Sequence, residues 1–139
     1  MKLQKQLKFW FTVHFIVDVI FALALFIAPS AFLKSIGWIE VDPIASRLVA
    51  AALFGIGIES FLGRKSSLDS FKTMLTLKVI WSFTAVTGIG LSLIENAQQR
   101  PPAAFGLMLV FVVFHILWAY FLVKVRQEVN SQNSEVSGE

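Results

Sequence analysis

Residues 9–29 read FWFTVHFIVDVIFALALFIAP. Apart from Thr12, His14 and Asp18 the run is apolar. It also has the length of a membrane span, which needs roughly 20 residues at about 1.5 Å each. A cleaved signal peptide would fit the basic start and the small residues at 28–31. Its apolar core, however, spans roughly 7–15 residues, shorter than the one here, and an aspartate inside it would be unusual. The run is therefore read as a membrane helix that carries two ionisable side chains.

Three more runs of this kind follow. They cover residues 43–63, 70–94 and 102–123, so the spans number four with 9–29. Only closed hydrogen-bond patterns survive in lipid, and for open chains that means helices. The expected fold is all-α: a polytopic membrane protein with a four-transmembrane-helix bundle over residues 1–126. Residues 127–139, QEVNSQNSEVSGE, have almost no apolar content and read as a disordered polar tail. Residues 30–40 are too short to span and mix Phe32, Leu33, Ile36, Trp38 and Ile39 with Lys34 and Glu40. They are expected to lie along the outer interface as a short helix.

Composition agrees with a membrane protein. Of the 139 residues 56% are hydrophobic and 15% charged, and 14 are phenylalanine. Soluble chains carry roughly 25% charge. There is no cysteine, which removes disulfides, thiolate metal sites, iron–sulfur clusters and a cysteine nucleophile. The net charge of +3 is not concentrated in any stretch basic enough for nucleic acid.

The boundaries carry start and stop signals. Asp42–Pro43 is an N-cap with proline at the first helical position. Gly63 with Arg64 and Lys65 ends the second span, and Asp69 or Ser70 caps the third. The run QQRPP, 98–102, separates the third from the fourth. Basic residues set the orientation. Lys2, Lys5, Lys8, Arg64, Lys65, Lys72, Lys124 and Arg126 share one side, against Lys34, Arg47 and Arg100 on the other. This bias places both termini in the cytoplasm and the chain in the cell membrane. Trp10 and Trp38 suit opposite interfaces.

Five ionisable residues, from all four spans, have similar depth. Counted from the cytoplasmic ends at the helical rise, His14 lies about 9 Å in, Asp18 about 15 Å, Glu59 about 6 Å, Lys78 about 9 Å and His115 about 13 Å. Such side chains cost about 2.5–3.5 kcal/mol each in lipid, so they turn inward and pair. His14 and Asp18 are four apart and share a helical face. Asp18 is expected to accept from His14 or from His115, and Glu59 to pair with Lys78. The node is expected inside one bundle, as packing polar groups or as a protonatable site. In the second span Ala51, Gly55, Glu59 and Gly63 recur every four residues, which is read as the small-residue packing face. In the third span Lys78, Ser82, Ala85 and Ser92 share a face. Arg47 lies close to the outer surface. It is expected to pair with Asp42 or Glu40, or to contact an anion or lipid headgroup.

The run DPIASRLVAAALFGIGIESFLGR, 42–64, resembles the second-helix region of DoxX-like small four-helix bacterial membrane proteins. The matching positions are Asp42, Pro43, Arg47, Gly55 and Gly57. The resemblance implies the four-helix architecture. Many members of that group carry no assigned activity, so it implies no reaction.

No nucleophile–base set, phosphate loop or metal cluster is present, and the loops are too short to build a separate active site. The expectation is a non-enzymatic membrane protein: an accessory or interaction subunit, or a binder of a small lipid-like molecule. The alternative is a small proton-coupled transporter working as a dimer, with Asp18 as its protonatable site. Small multidrug transporters are similar in size and first-helix carboxylate, but His14, Lys78 and His115 depart from them. A third reading is a membrane enzyme using the inner-leaflet node as acid and base. Two histidines on facing helices also suit a b-type haem, but two lone imidazoles point to it only weakly, and no cofactor or metal is expected. The expected partners are the lipid bilayer and a second copy or another membrane protein.

Overall fold

The computed structural model describes residues 2–95 and 101–137, with side chains as far as residue 134. Gln98, Gln99 and Arg100, the first three positions of QQRPP, lie outside the described residues. Every regular element among the described residues is a helix: α1 (Lys2–Ile27), α2 (Pro29–Ser35), α3 (Pro43–Gly63), α4 (Leu68–Glu95) and α5 (Pro102–Ser137). α1, α3, α4 and α5 are each long and apolar enough to cross a bilayer. The chain thus has the helices of a multi-pass membrane protein.

Each long helix buries one narrow stripe. In α1 it is Leu7, Phe11, His14, Asp18, Ala22 and Leu25. In α3 it is Ser46, Ala50, Leu53, Gly57 and Ser60, and in α4 Phe71, Leu75, Lys78 and Ser82. The alternating steps of three and four keep these side chains on one line of the helix. The other faces expose large apolar residues, among them Ile20, Leu48, Leu62, Ile94, Leu109 and Ile116. Exposed apolar side chains on all sides are the surface a bilayer covers.

α1 packs along α3 and α4 along α5, while α3 meets α4 over a shorter stretch. Two apolar clusters form. One joins Leu7 and Phe11 of α1, Phe71 and Leu75 of α4, and Trp118, Phe121, Val125 and Val129 of α5. The other joins Ala22, Leu25, Ala50 and Leu53 of α1 and α3, with Phe32 and Leu33 of α2 against it. Along α1 and α4 the buried polar residues lie between these clusters or just beyond the first.

Several boundaries follow the expected chemistry. Asp42 caps α3, its Oδ1 accepting from the Ile44 and Ala45 N–H groups at 2.8 and 3.2 Å. α3 ends at Gly63, followed by Arg64. α2 ends in a left-handed turn at Gly37, φ 102°. There the Gly37 N–H bonds the Lys34 carbonyl and the Trp38 N–H bonds the Leu33 carbonyl, the pairing that closes a helix C-terminus on glycine.

Three expectations need correction. The cap of α4 is Ser67, not Asp69 or Ser70: its Oγ accepts the Ser70 N–H at 3.4 Å, so the helix starts earlier. The tail does not become irregular at residue 127, because α5 continues to Ser137. Val125 and Val129, 0% and 5% exposed, extend the buried stripe beyond the span in the cluster that also holds Leu7, with Leu3 packed against it. Among residues 127–134 Val129 alone is buried, so this stretch is helical with a single apolar contact. Finally, the Ala51–Gly55–Glu59–Gly63 row packs only through its last two members, since Glu59 pairs with Lys78 and a Cβ at Gly63 would run into Met74, both of α4. Ala51 and Gly55 are exposed, and a Cβ added at Gly55 would meet nothing within 4 Å.

The close approach of α1 and α3 is at Gly57 instead. A Cβ there would lie 2.9 Å from Asp18 Cβ and 3.6 Å from the Phe15 carbonyl oxygen. The Asp18 Cβ is attached to the α1 backbone and cannot swing aside, while the carbonyl oxygen is at ordinary contact distance. Gly57→Ala is therefore expected to lower stability in detergent by about 1–3 kcal/mol, the range for overpacking. Gly55→Ala should be neutral or stabilising by up to about 1 kcal/mol through helix propensity. Thermal unfolding followed by circular dichroism separates the two, and equal effects would contradict the packing described.

Candidate functional site

The five ionisable residues do not form one continuous network. They form an imidazole–carboxylate pair, an ammonium–carboxylate pair and a separate histidine. His14 Nδ1 lies 3.0 Å from Asp18 Oδ2, within one face of α1. The contact is short, yet neither atom has a well-aligned hydrogen bond. Both residues are buried. The His14 ring stands edge-on to Phe114 and Trp118 of α5, with centroids 5.0 and 5.1 Å away.

Lys78 of α4 is 1% exposed. Its Nζ donates to Ser60 Oγ at 2.6 Å, and the Ser60 hydroxyl donates onward to the Ile56 carbonyl at 2.7 Å. Glu59 Oε2 is 3.4 Å from the ammonium, again without a well-aligned hydrogen bond. Two ring faces complete the shell, Phe11 at 4.9 Å and Trp118 at 5.6 Å from Nζ. Each such contact contributes about 0.5–2 kcal/mol, more as water is excluded. Trp118 thus touches both the His14 ring and the lysine.

His115 of α5 is half-buried and pairs elsewhere. Its Nδ1 is 2.9 Å from Ser82 Oγ. Ser82 Oγ also lies 2.7 Å from the Lys78 carbonyl oxygen, to which it can donate. Asp18 accordingly has His14, not His115, as its neighbour. Arg47 makes neither of the ion pairs expected of it. Its Nε donates to the Phe26 carbonyl at 3.2 Å, one of the last-turn carbonyls of α1 that have no partner inside their own helix.

Sequence reasoning missed Ser60, the close contact at Gly57, and the cation-facing role of Phe11 and Trp118. Ser60 was within reach of it: the stripe Ser46, Ala50, Leu53, Gly57 continues by three to Ser60. The two rings carried no sequence signal, because a phenylalanine or tryptophan beside a cation reads the same as one in lipid.

Beside the node lies a partly enclosed cavity of about 130 Å³. His14, Asp18 and Ser82 form its polar part. Its walls are apolar, with Phe21, Trp81, Phe111 and Phe114 among them, and Phe32, Leu33 and Ile36 of α2 and the turn after it line it as well. His115 does not line it. Among the described residues no group of three or more His, Cys, Asp or Glu is placed to hold a metal ion. Lys78, wrapped by its own partners, does not line the cavity either.

No family model matches the chain, and no curated protein or solved structure does.

The Glu59–Lys78 pair can be tested directly. Glu59→Gln leaves a fully enclosed ammonium without its counter-charge, a change that costs about 3–5 kcal/mol in buried pairs. Lys78→Met should cost a similar amount, because both Glu59 carboxylate oxygens are covered and would be left without their counter-charge. Glu59→Gln combined with Lys78→Met should recover most of the loss, since an apolar chain of similar length then fills the space. Equal small losses in all three variants, measured as thermal stability in detergent, would mean that the pair is only a peripheral contact.

Proposed function

We propose that this chain is a multi-pass protein of the cell membrane, a four-helix bundle with both termini in the cytoplasm, that binds a small, largely apolar molecule between its helices. The carrying observation is the cavity that reaches His14, Asp18 and Ser82 while its other walls are apolar. Ligand sites commonly combine apolar walls with a few convergent polar groups. Here Asp18 and Ser82 both line the cavity, so a carboxylate and a hydroxyl are placed to meet one polar group of a ligand. A ligand with a hydrophobic body and one donor or acceptor group matches both features. The lysine and arginine bias supports the orientation, and the DoxX-like resemblance of residues 42–64 supports the architecture. An accessory subunit that holds such a molecule for a partner membrane protein is the same reading in a larger assembly. A non-enzymatic role is favoured because the one buried amine already has a hydroxyl, a carboxylate and two rings around it.

The binding reading is tested with 1-aminoanthracene, an apolar ring system with one hydrogen-bonding group, on the full chain in detergent. Saturable fluorescence enhancement is expected. Val17→Trp, which fills the cavity from α1, should abolish it. Asp18→Asn should weaken it by about fivefold, the equivalent of roughly 1 kcal/mol for one hydrogen bond. Identical, non-saturating signals from wild type and Val17→Trp would mean that the dye only partitions into micelles.

One observation favours a second reading. A buried aspartate that lines a cavity is the arrangement expected of a proton-coupled carrier, here working as a dimer. Proteoliposomes with an imposed pH gradient decide this: a carrier should take up amphiphilic cations, and Asp18→Asn should abolish the uptake. Uptake that is absent, or indifferent to Asp18, would leave the binding reading alone.

A further inference from the structure

A second polar feature lies away from the node, at the end of the helices that carries the N-terminus. Lys5 and Lys8, three apart on α1, face Arg64 and Lys65 in the turn after α3. Together with Gln4 and Ser66 they line a groove of about 250 Å³. Among the described residues none of these four cations has a carboxylate within ion-pair distance. The Arg64 guanidinium is held in place, 3.5 Å above the Phe61 ring and bonded to the Phe61 carbonyl. The Ser66 N–H bonds the Gly63 carbonyl and closes the turn. No acidic side chain lines the groove.

We propose that this groove binds the phosphate-bearing headgroup of an anionic membrane lipid. Four cations of one sign from two chain segments, with a serine hydroxyl and a glutamine amide beside them, suit a phosphate. The adjoining surface selects a lipid over a soluble anion. Toward the middle of the helices the next residues are Phe9, Phe61 and Leu62, which are 60%, 37% and 73% exposed. An acyl chain would run along them while its headgroup sits among the cations. On the orientation proposed above, the groove faces the cytoplasmic leaflet, where anionic lipids attract basic residues next to membrane spans. The site is independent of what the cavity holds.

The test is native mass spectrometry of the full chain in a neutral detergent. Phosphatidylglycerol and phosphatidylcholine with the same acyl chains are titrated in parallel. Wild type should bind phosphatidylglycerol in preference, and added salt should erase that preference. Lys5→Gln with Lys65→Gln should weaken phosphatidylglycerol binding by roughly thirtyfold, at about fivefold for each basic residue. Lys2→Gln with Lys124→Gln removes the same charge from a separate surface between α1 and α5 and should change binding by less than about twofold. All four lysines are exposed, except that Lys124 also lies 5.9 Å from the Tyr120 ring, so folding is not at risk. Equal losses in the two double variants would overturn the proposal, because general charge attraction would then explain the binding. Displacement of phosphatidylglycerol by an equimolar amount of inorganic phosphate would also overturn it, by making the groove a site for the free anion. No preference for phosphatidylglycerol in wild type at low salt would overturn it whatever the variants do.

Discussion

The arrangement of the four long helices depends on one buried ammonium. Lys78 projects from α4 into a space where it is 1% exposed, and an isolated charge there would cost several kcal/mol in desolvation. It is tolerated because Ser60 and Glu59 come from α3, Phe11 from α1 and Trp118 from α5. One side chain therefore requires surfaces from every other long helix at the same height. In lipid, apolar side chains gain nothing by leaving the solvent, so packing and polar contacts hold helices together. A lysine with partners on three other helices is such a contact, and it also disfavours alternative registers.

The cavity follows from how the polar residues are layered. Phe71, Leu75, Trp118 and Val125 pack densely on the side of the node nearer the termini. Beyond it, Ala22, Leu25, Ala50 and Leu53 hold α1 to α3, and Phe32 and Leu33 of α2 lie against that cluster. Space remains between these residues and α5, bounded by Asp18, Ser82 and aromatic rings. Gly57 brings α3 close to α1 at Asp18, and this fixes the wall on which the carboxylate sits. Arg47, by bonding the Phe26 carbonyl, ties the start of α3 to the end of α1 at the far side of the same cavity. The histidine and aspartate in the opening run thus have an architectural answer, a tight intrahelical pair facing inward. They also have a chemical one, a polar patch in an otherwise apolar chamber.

Much of this was legible in the chain. Length and hydropathy alone determined four apolar helices, because lipid allows backbone groups no other open-chain solution. The Asp42–Pro43 start and the Gly63 stop of α3 were readable because capping is local chemistry. The inward turn of His14, Asp18 and Lys78 was readable because their cost in lipid is large, and the pairing of Glu59 with Lys78 followed from opposite charge at equal depth. What tertiary structure alone decided was which side of each helix meets which neighbour. Periodicity shows that Ala51, Gly55 and Glu59 share one face and Ala50, Leu53, Gly57 and Ser60 another. It does not say which of the two meets α1, since small residues occur on both. The same limit hid the helix in residues 127–137: the one buried side chain among residues 127–134, Val129, packs in a cluster with Leu7 and Leu3 of a distant segment, which the local sequence does not show. Helices and their polar residues are set by energies local to each segment, whereas rotation about the helix axis is set by contacts between segments far apart in the chain.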